Sequence, residues 1–254
     1  MGSDLYHTAD RAVRLEAVVA SLGIVAFAYG VGIVLASLGI SVAASAGYTL
    51  ESAPVVALAV QYALLPAGFV FVVVGYLASG DHGDLLRYRV PTLRDLGWIV
   101  VGLLALVVAS TILSDIITAL GVESAQNQAI VRGRENPILF LVLLPITLLF
   151  VAPGEELVFR GVVQGKFRAA YGPLPAVLIA SLLFGISHSG ALVGSGQVTY
   201  LAVATVLGLI LGAIYEHTQN IVVPVGIHAA WNSLLYFGEW LSVVHGITVL
   251  STAV

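Results

Sequence analysis

With 254 residues, 59% of them hydrophobic and only 9% charged, and a mean hydropathy of +1.03, the chain lies far from a soluble domain, in which roughly a quarter of residues are charged. It reads as an all-α, polytopic membrane protein. The net charge of −4 is small and spread over short loops, which speaks against nucleic-acid binding, and the lack of cysteine excludes disulfides, thiolate metal sites and a cysteine nucleophile.

Residues 1–14 are polar and carry Asp4, Asp10, Arg11 and Arg14; the apolar stretch after them is too long for a signal-peptide core and reads as a retained helix. Taking about 20 apolar residues per crossing, spans are expected near 15–40, 54–79, 97–121, 137–158, 174–190, 198–216, 221–238 and 239–254, a bundle of about eight transmembrane helices forming a single domain over 1–254. Polar connections separate the second, third and fourth spans, from Gly80 to Gly97 and from Glu123 to Pro137. Alternate loops hold Arg11, Arg14, Arg87, Arg89, Arg94, Lys166 and Arg168 on one side, against Arg132 and Arg134 on the other. The positive-inside rule therefore puts the N-terminus in the cytosol, in a cytoplasmic membrane. Residues 169–254 contain no Lys or Arg, so their topology follows from helix counting alone.

The fourth span carries Glu155-Glu156-Leu157-Val158-Phe159-Arg160, directly after Pro153-Gly154. An ionised side chain at mid-bilayer costs about 2.5–3.5 kcal/mol on insertion scales, so three together need a reason. Proline removes a backbone donor and is expected to kink or break the helix, leaving both glutamates in the first turn of a resumed helix. Arg160, four residues after Glu156, shares its face and is expected to pair with it rather than with any histidine, which frees Glu155 for chemistry. The bland alternative is a membrane-edge cluster that only marks a helix end.

Two later helices carry polar groups. His188 follows Phe184 by four residues on one face, and on its own fits a polar group satisfied at a helix end. His228 and Asn232, also four apart, stack on one face of an apolar helix, where an interhelical hydrogen-bond pair is the bland reading. Glu216 to Asn220 reads as a turn with Asn220 capping the next helix, and Glu239, His7, His82 and His245 are assigned no role.

Glu155, His188, His228 and Asn232 together are an inventory for hydrolysis by activated water. One version makes Glu155, His188 and His228 a His2Glu zinc set with an open position for water, although the H-E-x-x-H signature is absent. The other uses no metal: Glu155 with His188 deprotonates water while His228 and Asn232 stabilise the oxyanion. An amide is a poor zinc ligand and a good donor, so Asn232 tilts the choice to the metal-free version.

The order E-E-x-x-x-R followed by Gly161, then F-x-x-x-H, then H-x-x-x-N on successive apolar helices resembles the CPBP family of intramembrane proteases, which includes the type II CAAX prenyl endopeptidases, or Ras-converting endopeptidases. The resemblance covers a core of about 137–240. It implies Glu155 as the water-activating acid, Glu156 and Arg160 as its support, His188 as partner to that acid, and His228 with Asn232 facing the substrate carbonyl. It further implies about eight helices around a cavity open to the cytosol and to lipid, and a membrane-anchored or lipidated peptide as substrate; it leaves the metal question open. N-terminus and active site are expected on the same, cytosolic face. The rival readings are a secondary transporter or channel, whose usual two related halves are not seen here, and a non-enzymatic immunity or scaffold protein of the membrane.

Overall fold

The computed structural model describes residues 5–80 and 82–249. Among these, eight helices follow one another: α1 (Arg11–Ser45), α2 (Pro54–Ala78), α3 (Leu93–Leu120), the short α4 (Gln128–Glu135), α5 (Ile138–Tyr171), α6 (Pro173–Ser187), α7 (Gln197–Thr218) and α8 (Val222–His245). Six, α1–α3 and α5–α7, are long and apolar enough to cross a membrane, α6 being counted with the 3-10 turn that extends it to Ala191. Helix α8 is of similar length but is not among the six; it carries His228, Asn232 and Glu239. Side chains such as Phe27, Phe71 and Leu149 point outward from the bundle, as expected where the surrounding medium is hydrocarbon rather than water.

Over 239–249, the described part of the eighth span expected at 239–254, no separate helix forms. Gly238 is buried inside α8 instead of ending it, and the helix runs on to His245, where Gly246 takes a left-handed conformation (φ 69°). Residues 250–254 lie outside the described residues.

Helix α5 is neither broken at Pro153 nor restarted there. Proline cannot donate to the preceding turn, and the chain absorbs the defect with two wide π turns, Thr147–Val151 before it and Leu157–Val163 after it. Extra residues in a turn rotate everything that follows about the helix axis. The glutamates lie between these turns, in the middle of a continuous helix, so the helix-start argument for their charge does not hold. Gly154 lets α5 close on α2: a Cβ there would lie 2.6 Å from the Pro66 carbonyl oxygen.

Three apolar clusters hold the helices together: Phe69, Val73, Phe159, Val163 and Phe184 across α2, α5 and α6; Leu106, Leu211, Ile227 and Trp231 across α3, α7 and α8; and Leu58, Leu139 and Leu143 across α2 and α5.

The two ends of the bundle are distinct. At one, the N-terminal segment bonds to the α5–α6 junction (His7 N to Tyr171 O, 3.1 Å) and Arg87 bonds to the α7–α8 turn (Ile221 N to Arg87 O, 2.8 Å). Burial beside the Arg168 cation lowers the affinity of the Arg87 guanidinium for its proton. Thr92 and Asp95 form a capping box that starts α3, and Arg89 grips Asp95 through both terminal nitrogens (2.5 and 2.7 Å). At the other end a two-residue antiparallel bridge pairs β1 (Gln126–Asn127) with β2 (Leu192–Val193), and Arg134 of α4 meets Glu239 of α8.

Candidate active site

Glu155, His188, His228 and Asn232 line one cavity of about 560 Å³, although 77 positions separate the first from the last. Their convergence follows from the helix order: α5 supplies the carboxylate from its middle, α6 brings His188 at its C-terminal end, and α8 brings His228 and Asn232 on the face that packs against α5.

Glu155 Oε2 is the focus. It is buried, makes no hydrogen bond among the described residues, and lies 3.9 Å from Nε2 of both His188 and His228. That separation is too long for a direct hydrogen bond, and is the spacing of two polar atoms that each bond one water at about 2.8 Å with an angle near 90°.

Each imidazole is oriented by its other nitrogen. His188 Nδ1 donates to the Phe184 carbonyl oxygen at 2.8 Å, which leaves its Nε2 aimed at Glu155. His228 Nδ1 donates to Glu156 Oε1, also at 2.8 Å, within a fully buried pair. Here the structure corrects the expectation that Glu156 would avoid the histidines. It binds both partners: its second oxygen, Oε2, makes an ion-pair contact of 3.2 Å with Arg160 Nε, off the line of a good hydrogen bond. A carboxylate has two oxygens, and Glu156 turns one to Arg160 on its own helix and the other to His228 on α8.

Arg160 is completely buried, which removes the membrane-edge reading of the cluster. Its Nη2 donates to the Gly208 carbonyl oxygen of α7 at 3.1 Å, and its guanidinium lies over the Phe184 ring at 4.2 Å. The same ring meets His188 and His228 edge-on, with centroids 4.7 and 5.8 Å away. Phe184 is thus the apolar floor on which three of the polar groups rest. Asn232 donates from Nδ2 to Thr147 Oγ1 (3.1 Å), a hydroxyl of the first π turn.

Several residues of the site carried no signal in the sequence. Thr147, Tyr200, Gln61 and Tyr236 line the cavity, and Tyr29 ties α1 to the end of α6 through the Ser187 carbonyl oxygen (3.0 Å). Glu239, assigned no role from sequence, stands on the cavity wall. The expected turn begins later than Glu216, which is still helical and accepts from Gln164 (2.8 Å) and Arg168 (3.1 Å); Asn220 does bond the next helix, at Val222 N (3.3 Å).

The zinc set can be tested on its own donors. Ligands sharing a tetrahedral zinc at about 2.0–2.2 Å lie about 3.3–3.6 Å apart, whereas Glu155 Oε2 is 3.9 Å from each imidazole nitrogen. Among the described residues no three His, Asp or Glu side chains are disposed to hold a metal ion. As they stand, Glu155, His188 and His228 do not fit zinc.

The mouth of the cavity lies away from the N-terminus. Exposed Gln126, Arg134, Gly190 and Ser242, all at the α4 end, belong to its wall, and no residue of 85–95, 168–174 or 216–222 does. N-terminus and mouth are therefore at opposite ends of the bundle, which corrects the expectation that both face the same side. The reason is the length of α5: it continues to Tyr171, so Glu155 sits at mid-helix rather than near the end that carries Lys166 and Arg168. The cavity also reaches Ile33 and Leu65 of α1 and α2, where Ile33 is exposed to the surroundings of the bundle.

Residues 137–234 match the family model described as type II CAAX prenyl endopeptidase Rce1-like. This segment is Rce1-like. The family resemblance drawn from the motifs is borne out, and it supports a CAAX-type intramembrane endopeptidase in general, acting in a membrane on a membrane-anchored protein. The Rce1-like segment takes in all of Glu155, Glu156, Arg160, His188, His228 and Asn232, while Arg134 and Glu239 fall just outside it. No curated protein and no solved structure matches the chain.

Proposed function

We propose that the protein is an intramembrane endopeptidase that cuts a membrane-anchored, CAAX-type substrate near its C-terminus, with Glu155 activating the attacking water. The observation that carries this reading is the free Oε2 of Glu155, held between two imidazole nitrogens on the wall of a cavity. A carboxylate buried without a partner is costly, and a water-activating base is a use that requires it to stay unpartnered.

In this mechanism a water donates one hydrogen to Glu155 Oε2 and the other to His188 Nε2, which turns its lone pair toward the scissile carbonyl. Glu155 takes the proton as the C–O bond forms, then returns it to the leaving amine nitrogen when the C–N bond breaks, so no proton is gained or lost. Such proton transfer contributes about 10²–10⁴-fold. The developing oxyanion is received by the second N–H of Asn232 and by Nε2–H of His228. With His228 as imidazolium, Glu155, Glu156, Arg160 and His228 sum to zero charge, which suits a desolvated site. No step requires a metal ion.

The apolar approach past Ile33 and Leu65 supports a substrate delivered from the bilayer by its lipid anchor. A transporter reading has no comparable use for a free carboxylate oxygen flanked by two histidine rings, each held in place through its Nδ1. The test is cleavage by purified protein in nanodiscs of one peptide in two forms, with and without a prenyl group on its cysteine. Cutting of the anchored form only, unchanged by a zinc chelator, is expected. No cleavage of either form, or loss of cleavage on chelation with recovery on adding zinc, would overturn the reading or its metal-free mechanism respectively.

A further inference from the structure

Arg134 is the one Lys or Arg on the cavity wall among the described residues, and it is held in a defined pose. Its Nε and Nη2 each donate to a different oxygen of Glu239, both at 2.8 Å. Glu239 thereby occupies the side edge of the guanidinium. The end edge, Nη1–H with the second Nη2–H, is a ready-made fork for another carboxylate, and the side chain is 45% exposed. The contact with Glu239 raises the proton affinity of Arg134 above its ordinary range.

Its distance from the chemistry is set by α8. Glu239 lies seven residues beyond Asn232 and eleven beyond His228 on that helix, which is about 10 Å and about 16 Å along its axis. A peptide tail of three residues in extended form spans about 10 Å. A bond positioned at Glu155 and Asn232, with the tail directed at the mouth, brings a free C-terminus beside Arg134 when some two to four residues follow the cut.

We propose that Arg134 binds the C-terminal carboxylate of the substrate, with Glu239 as its positioning residue, so that the cavity measures the tail from its charged end. This rests on the endopeptidase reading and deepens it. The chain would then select free C-termini at a fixed distance from the cut, leaving the identity of the removed residues largely open. Neither residue lies in the Rce1-like segment, so this selectivity would be a property of the surrounding chain.

The test uses two prenylated peptides of one sequence with three residues after the modified cysteine, one ending in a carboxylate and one in an amide. In nanodiscs the unaltered protein should cut the acid at least tenfold better in kcat/KM, with the difference mainly in KM. Arg134→Gln should bring the acid down to the amide, and Arg134→Lys, which keeps a charge without the fork, should fall between. The amide peptide serves within each preparation as the reference for folding. Binding of both labelled peptides to Glu155→Gln protein separates recognition from cleavage. A tenfold preference for the acid there, lost when Arg134→Gln is added, supports the proposal even if no cleavage is found. Equal treatment of acid and amide by the unaltered protein in binding, or a preference that survives Arg134→Gln, would overturn it.

Discussion

Two neighbouring stretches of α5 handle polar groups in opposite ways. From Arg160 toward the N-terminal end of the bundle, the side chains are locked to backbone and to one another: Arg160 to the Gly208 carbonyl, Gln164 to the Gly212 carbonyl (3.1 Å) and to Glu216, Arg168 to Glu216, and Lys166 to Glu16 (2.6 Å). Arg160 and Gln164 stand four apart on α5 and face Gly208 and Gly212, four apart on α7, where a Cβ would lie 3.3 Å from Arg160 Nη2 and 2.9 Å from Gln164 Oε1 and so would crowd both side chains. One turn away, Glu155, His188 and His228 meet at 3.9 Å with hydrogen-bonding capacity left over. The groups that hold this bundle together each make at least one bond across helices, even where a further atom such as Arg160 Nη1 or Gln164 Oε1 has no hydrogen-bond partner among the described residues, whereas Glu155 Oε2 makes none. Glu156 joins the two regimes, with one oxygen on Arg160 and the other on His228.

The comparison breaks most severely at Arg160. Arg160→Ala leaves Glu156 buried with only His228 as partner and should cost about 3–5 kcal/mol, the usual penalty for breaking a buried pair. The expected result is a large loss of folded yield and a lower melting temperature in detergent. Retention of normal stability would mean that the locked stretch is not what holds α5 to α7.

The open region should respond in rate with little change in stability. Thr147→Val keeps the shape of the side chain and removes the hydroxyl that accepts from Asn232, so the amide is free to turn. Cleavage of an anchored peptide should fall by about tenfold, since small displacements of a catalytic donor are costly in rate, while the melting curve stays put. An unchanged rate would remove Asn232 from the oxyanion site.

The smallest effect is expected at Gln164, which lies in the locked stretch but away from the cavity. Gln164→Leu removes two hydrogen bonds, to the Gly212 carbonyl and to Glu216, and should lower stability by about 1–3 kcal/mol with the cleavage rate of the folded fraction preserved. A fall in rate at full stability would show that the two regions are not separable.

Much of the arrangement was legible in the residues themselves. Glu156 and Arg160 at i, i+4, His188 four after Phe184, and His228 with Asn232 are local periodicities, and helix geometry carries them directly into space. The single Glu156–His228 hydrogen bond was hidden because it depends on how π turns rotate α5 against α8, and no local spacing encodes that. Thr147 was silent for a related reason: a threonine in an apolar helix looks the same whether it faces lipid or accepts a hydrogen bond from an asparagine. Pro153 misled on the end of the helix because the wider turn is a second way to relieve a missing donor. The side of the mouth was misplaced along with it, since the length of α5 decides which end of the bundle Glu155 approaches. Arg134 and Glu239 entered the reading only as loop charge and span end, because their pairing joins positions 105 apart.

The most direct test of the contrast between the two glutamates is a paired measurement on Glu155→Gln: melting temperature and initial rate of anchored-peptide cleavage from the same preparation. The amide preserves the shape and removes the basicity of a group whose Oε2 takes part in no hydrogen bond among the described residues. The expected result is an unchanged melting temperature with the rate down by about 10²–10⁴-fold. A lowered melting temperature with cleavage surviving would place Glu155 among the structural groups and contradict the assignment of water activation to it.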